Sequence, residues 1–310
     1  MRCARNTPGR TCWLLGCILF VACATTLPAQ ETKRPETPSG DLVRQVVAQE
    51  VAAANKAETR HMFRSRKQTP KGSQTRLYVE TKEALAGMLV AINDQPLSAE
   101  QKQQEEGRLA WLINNPDQLR RKHAHEKEDE ERTLRVVKAL PDAFRYEYAH
   151  TESGDSELGK PGDEMVRLKF IPNPAYSPPS RVEQVLEGMQ GYLIIDATAR
   201  RLARIDGTLF RDVSFGWGIV GHLDKGGHFR VQQADVGDGS WEITAISLKI
   251  TGKILMFKGL NVISDETFSG FQRVPADLTF AKGVDLLKSE EQKLAHNRNP
   301  DPTEAKKNPQ

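Results

Sequence analysis

Leu140-Pro141-Asp142-Ala143-Phe144-Arg145-Tyr146-Glu147-Tyr148 is the stretch where the hydrophobic period of this chain changes. Upstream, Leu134, Val136, Val137 and Leu140 recur at the spacing of a helix face. Downstream, Phe144, Tyr146 and Tyr148 alternate with Arg145 and Glu147. A period of two marks a strand with one buried and one wet face, because successive side chains leave a sheet on opposite sides. Val166, Leu168 and Phe170 repeat the pattern against Arg167 and Lys169. Five further strands are predicted at residues 190–196, 201–210, 218–223, 229–236 and 241–250, with another apolar pair at 253–257 and 260–263. The turns between them, including 224–227, 237–240 and 251–252, are too short for parallel crossovers, so the pattern predicts an antiparallel meander.

Working back toward the N-terminus, Leu42, Val43, Val46, Val47 and Val51 fall on one side of a helix over 41–55, with Asp41 as its cap. Strands are expected at 59–65 and 75–80. Residues 83–91 suit either a helix or a strand, and the strand reading agrees better with Gly87 and the neighbouring meander. Ser98-Ala99-Glu100-Gln101 is a capping-box pattern opening a helix to about Asn114. Asn115-Pro116-Asp117 interrupts that helix. Residues 120–132 are dominated by charges of both signs, as in a solvated helix face laced with ion pairs. Ser180-Arg181-Val182-Glu183 caps a short helix to about Glu187, and a helix over 278–294 closes the chain. The fold expected is α+β: a curved antiparallel sheet, an incomplete barrel, wrapped around helices. It occupies one domain at 41–295, with a helical insert at 98–140, after a polar linker at 30–40 and before a disordered tail at 296–310.

All four cysteines, Cys3, Cys12, Cys17 and Cys23, lie in a leading segment that reads as an export signal. Three arginines come first, a nearly unbroken apolar run spans 11–22, and Leu27-Pro28-Ala29 precedes a polar stretch. Two endings suit the signal. Cleavage after Ala29 gives a soluble protein with residues 1–29 removed. Alternatively, Phe20-Val21-Ala22-Cys23 loosely matches a lipobox, which would make Cys23 a lipidated N-terminus in contact with the membrane. Either way the protein is expected in the periplasm or at the outer membrane. Loss of Arg2, Arg5 and Arg10 cancels the net charge of +3, and no basic surplus remains to suggest a nucleic-acid partner. No apolar run after residue 23 approaches the 18 or so residues of a membrane span.

Candidate chemistry is sparse. Gly216-Trp217-Gly218-Ile219-Val220-Gly221 matches G-x-G-x-x-G, but the dinucleotide motif needs a helix to follow. Asp224-Lys225-Gly226-Gly227 turns instead toward the strand at Phe229, so a glycine-rich bend or bulge is the expected role. His123 and His125 point about 200° apart on a helix. His222 and His228 flank a hairpin, and with Gly226-Gly227 as its two-residue loop their rings fall on opposite faces. Neither pair makes a metal site, and no cofactor is expected. Asp196, Asp206, Asp212, Asp224, Asp235 and Asp238 sit at strand ends and turns, where carboxylates serve turn geometry. No nucleophile motif accompanies them. A sheet of seven or more strands must nonetheless bury its apolar face. If it curls over helices it can leave a hollow lined by Phe144, Tyr146, Tyr148, Val166, Leu168, Phe170, Trp217, Phe229 and Trp241.

From about Leu140 to Leu287 the order of elements resembles the periplasmic lipoprotein carriers of the LolA and LolB type. The resemblance rests on Leu140-Pro141-Asp142-Ala143-Phe144-Arg145-Tyr146 and on the paired segments Gln190-Gly191-Tyr192-Leu193-Ile194-Ile195-Asp196 and Arg201-Leu202-Ala203-Arg204-Ile205-Asp206-Gly207. The stretch 201–275 is also similar to uncharacterised secreted bacterial proteins built on the same theme. The resemblance implies an incomplete barrel holding acyl chains and a non-enzymatic role. The insert at 98–140 and the tail depart from it. A lipid, lipoprotein or other apolar ligand in the half-barrel is the leading expectation. An envelope scaffold with a filled core, docking through 120–132, is its rival, and a hydrolase of unknown type stands behind both.

Overall fold

The computed structural model describes residues 37–55, 59–155, 158–215, 221–254 and 258–298. The expected export segment, Cys23, Trp217 and the tail from residue 299 lie outside them. Helix α1 (Ser39–Asn55) leads into β1 (Arg60–Thr69), β2 (Gly72–Val79), β3 (Ala86–Ile92) and the short β4 (Gln95–Pro96). Helices α2 (Ala99–Asn114) and α3 (Pro116–Ala143) follow, then β5 (Phe144–Ser153) and β6 (Glu164–Pro172). A short helix α4 (Arg181–Gln184) precedes β7 (Met189–Asp196), β8 (Arg201–Leu209), β9 (Val213–Phe215), β10 (Gly221–Leu223), β11 (His228–Asp235), β12 (Trp241–Ile254) and β13 (Lys258–Val274). Helix α5 (Phe280–Arg298) is last.

The strands form one open antiparallel sheet in the order β4-β3-β2-β1-β13-β12-β11-β8-β7-β6-β5, with β9 and β10 attached beside β12. This is the α+β, curved-sheet architecture that the change of period at Pro141 predicts. The N-terminal strands join it because β1 pairs with the last strand, β13, placing Arg60 opposite Val274 and Gln68 opposite Asp265.

Local signals act where the sequence places them. Ser98 Oγ accepts the Gln101 amide while the Gln101 side chain accepts the Ser98 amide, and Ser180 caps α4 through the Val182 amide. Asp41, however, is not a cap. The Pro38 carbonyl already accepts the Asp41 amide, so the helix starts at Ser39, and the Asp41 carboxylate instead takes the Arg44 guanidinium at 2.7 Å. Strand β13 also runs far past the predicted 260–263, through the polar Asp265, Glu266 and Thr267. Its first half is paired with β12 and its second with β1, and ladder bonds on a shared sheet override weak strand propensity.

The turn at 224–227 is not a hairpin. β10 and β11 lie end to end along the same side of β12, with Gly221 opposite Ile254 and His228 opposite Lys249. β8 and β9 lie end to end beside them. Residues 224–227 are therefore an outward bulge in one interrupted strand, facing the matching interruption at 210–212. The bulge is held by amide bonds from Leu209 to Gly227, from Gly226 to Leu209 and from Lys225 to Asp212 Oδ1.

Register divides the helices between two faces. Leu77 pairs with Arg64 and Arg64 with Ser269. The same face continues through Thr267, Ala245, Gln232, Arg204, Ile194 and Arg167. Leu168, one residue on, points the other way. On the Leu77 face, α2 and α5 bury Leu109, Leu112, Phe280, Val284 and Leu287 against Met62, Leu77, Val79 and Met88. On the Leu168 face, α1 and the end of α3 bury Val43, Val46, Val47 and Leu140 against Phe144, Val166, Leu168, Phe170 and Leu193.

Candidate functional site

The residues nominated for a hollow are distributed by this layering. Phe144, Val166, Leu168 and Phe170 are at most 4% exposed and pack directly against α1 and α3. Tyr146 and Tyr148 are half-buried beside them, and their hydroxyls donate to the Leu140 and Thr37 carbonyls at 2.8 and 2.5 Å. Burial pushes the Tyr146 hydroxyl well above its ordinary pKa. Phe229 packs at the border of this layer, its ring lying over Gly207, where a β-carbon would fall 2.4 Å from it. Trp241 departs from the group and packs instead with Leu158, Met165, Ile194 and Ala203 on the opposite face. The structure thus gathers seven of the nine nominated side chains on one face, beneath a helical layer.

Beyond that layer the same face continues with no helix of the described residues packed on it. Following the pairing from Ile205 leads to Val231, then Ile246, with Leu248 and Ile250 further along β12. The partners of these three on β13 are Glu266, Ser264 and Val262. Ser264 is buried and Glu266 half-buried, whereas Asp265 and Thr267 on the other face are exposed, so the aliphatic side is the inner one. Val231, Ile246, Leu248 and Ile250 are half-buried, Val262 is 37% exposed, and none of them belongs to a buried cluster. The outer face of the same strands carries Arg230, Gln232, Ser247, Lys249 and Asp265. An apolar stripe on the central strands is the feature sequence reasoning missed as a site. Its signal was present as the alternation of Ile246, Leu248 and Ile250 with Ser247 and Lys249.

Two clefts among the described residues are small. One of about 130 Å³, lined by Lys160, Asp163, Asp196, Thr198, Asp235 and Trp241, opens on the Trp241 side. Another of about 60 Å³ lies among Met88, Val90, Leu97, Glu105 and Lys288. Neither approaches the few hundred Å³ of a typical enclosed ligand site.

The titratable groups are held in pairs. The bulge at 224–227 places His222 opposite Lys253 and His228 opposite Lys249, so the two rings share the outer face, contrary to the hairpin expectation. His222 reaches Asp224 at 3.2 Å and His228 reaches Asp206 at 2.9 Å. Asp196, Asp212, Asp235 and Asp238 accept nearby backbone amides, from Ala199, Lys225, Gly237 and Ser240 respectively. Among the described residues, no three His, Cys, Asp or Glu side chains converge as metal ligands. The most buried polar knot joins β1 to the β11–β12 turn. His61, 1% exposed, lies 3.0 Å from Asp238 and 3.3 Å from Glu242, and Glu80 accepts the His61 amide. Burial, followed by the neighbouring Glu80 charge, pushes Glu242 up. Burial raises Glu80 as well. Burial would also raise Asp238, but hydrogen bonds from His61, Ser240 and Arg273 hold its carboxyl well below the usual range.

No protein-family model matches the chain, and no curated protein matches it. Among solved structures, one is a domain from Vibrio parahaemolyticus named for outer membrane lipoprotein sorting. It is 9% identical at a TM-score of 0.32, with 80% of this chain and 99% of that chain covered, a likeness too distant to bear on function.

Proposed function

We propose that this is an exported, non-enzymatic cell-envelope protein that holds an apolar ligand, a lipid or the acyl chains of a lipoprotein, along the inner face of β11–β13. The observation that carries the reading is the half-exposed stripe of Val231, Ile246, Leu248, Ile250 and Val262, backed by a polar outer face and joined to no buried cluster. Aliphatic surface left beside water costs about 25 cal/mol per Å² relative to burial, so an acyl chain laid on the stripe is stabilised by the area it covers. The leading segment supports a place in the envelope, as a soluble protein or one anchored through Cys23. Nothing in the charge balance favours nucleic acid.

Organic extraction and mass spectrometry of protein purified from the envelope without detergent test the reading. Acyl-bearing species near one per protein are expected. Leu248→Asp on the inner face should abolish them, and Ser247→Asp on the outer face should leave them in place. An empty protein that also excludes an added fluorescent fatty acid defeats the proposal and returns the scaffold reading, which the filled layer beneath α1 favours.

A further inference from the structure

The outer face of the central strands carries a group of unneutralised cations around the 224–227 bulge, and we infer that this patch is a docking surface for an anionic membrane. The inference is independent of the apolar-ligand reading, since it uses the opposite face of the sheet.

Pairing defines the patch. Thr208, His228, Lys249 and Ile263 form one row across β8, β11, β12 and β13 on the outer face. Phe210 opens the next row. Its amide donates to the Gly188 carbonyl and so continues the β7–β8 ladder by one residue. Alternation from the buried Leu209 then turns Phe210 outward, where it is 43% exposed. Lys225 is exposed on the bulge, whose backbone is tied down by its own amide to Asp212 and by the Gly226 amide to Leu209. Lys253 stands beyond it, opposite His222.

The nearby carboxylates are already engaged. Asp206 takes Arg230 at 2.6 Å and His228 at 2.9 Å, and Asp224 takes His222 at 3.2 Å. Asp212 accepts the Lys225 amide at 2.7 Å, and Asp265 accepts the Ser247 hydroxyl at 2.6 Å. Arg211, Lys225, Lys249 and Lys253 are exposed and make no ion pair among the described residues. On a chain whose charges nearly balance, four such cations in one place raise the local potential and favour an anionic partner.

Spacing favours a layer of phosphates over a single anion. Lys249 and Lys253 are four residues apart on one strand, roughly 13 Å, too far to close on one phosphate. Lipid headgroups can meet both. Phe210 and Ile263 lie three strand spacings apart, about 14 Å, and flank Lys249 with apolar surface that a headgroup layer admits. The Arg211 guanidinium sits 5.7 Å from the Phe210 ring, so the ring can enter that layer with its own cation beside the phosphates.

Sedimentation of residues 30–310 with vesicles tests this. Phosphatidylglycerol mixed with phosphatidylethanolamine should retain the protein, and phosphatidylcholine should leave it in solution. Lys249→Gln and Lys253→Gln should each weaken the partition about fivefold, and together about 25-fold. Phe210→Ser should weaken it roughly fivefold. Lys127→Gln, an exposed charge on α3, should stay within about twofold. Circular dichroism establishes that the variants are folded. Failure to sediment with the anionic vesicles, equal retention on both kinds, or a partition unmoved by the double lysine variant overturns the assignment. So does retention on immobilised polyglutamate without vesicle binding, which would give the patch to an acidic protein.

Discussion

Replacing Glu50 by alanine removes the polar anchor between α1 and the sheet. The carboxylate accepts four hydrogen bonds: two from the Arg201 guanidinium at 2.8 Å each, one from the Leu202 amide at 2.9 Å and one from Gln233 Nε2 at 2.9 Å. The two charged side chains are only 12% and 15% exposed. Taking away one member of a buried pair costs about 3–5 kcal/mol, because the other charge is left without a partner. Here the residual exposure admits some water, and Arg201 keeps its position over the Trp241 ring at 5.3 Å. The expected loss for Glu50→Ala is therefore about 2–4 kcal/mol. Glu50→Gln keeps an acceptor for Leu202 but not the charge, and should lose about 1–2 kcal/mol. Urea unfolding at neutral pH reads both as a lower midpoint at constant slope. Adding Arg201→Met to Glu50→Ala should restore part of the loss, since no unpaired charge then stays behind α1. A single-alanine loss below about 0.5 kcal/mol would refute the reasoning and show that the apolar face of α1 alone seats it.

Three further outcomes follow from the packing. Leu168→Ala, at a fully buried position under α1, should cost about 2–5 kcal/mol in the same unfolding experiment. Ser98→Ala removes one half of the capping box at α2 and should cost about 1 kcal/mol. Burial and the Glu80 charge raise Glu242 in the folded protein, so its ionisation opposes folding. That cost is full above the folded-state pKa and disappears as pH falls to the ordinary value of 4.5 and below. Glu242→Gln should therefore melt at a higher temperature than the native protein at pH 7 and at the same temperature near pH 4, and an equal shift at both would contradict the assignment.

Much of the fold was legible because its determinants are local. The alternation at Phe144–Tyr148 and Val166–Phe170 depends only on the pleat of a strand, and the Ser98 and Ser180 caps only on side chains reaching their own backbone. Errors arose where a distant partner decided. The strand length of β13 was hidden because Asp265, Glu266 and Thr267 are poor strand formers, held in the ladder by β12 and β1. The faces of His222 and His228 were misjudged because 224–227 looks like a hairpin until β12 is seen running past both sides of it. The lining residues were recognised as apolar strand positions, but nothing local distinguishes Leu168, covered by α1, from Leu248, left open.

The sequence by itself determined that this chain is an antiparallel α+β protein. Period, turn length and the confinement of cysteine to the first residues are all readable without knowing which elements meet. Only the tertiary structure decided that the first strands pair with the last, that the helices divide between two faces, and that an apolar stripe on β11–β13 stays clear of the helices among the described residues. Those outcomes depend on register. A pairing carried across eleven strands assigns each side chain to a face, and a one-residue slip in it would reassign all that follow.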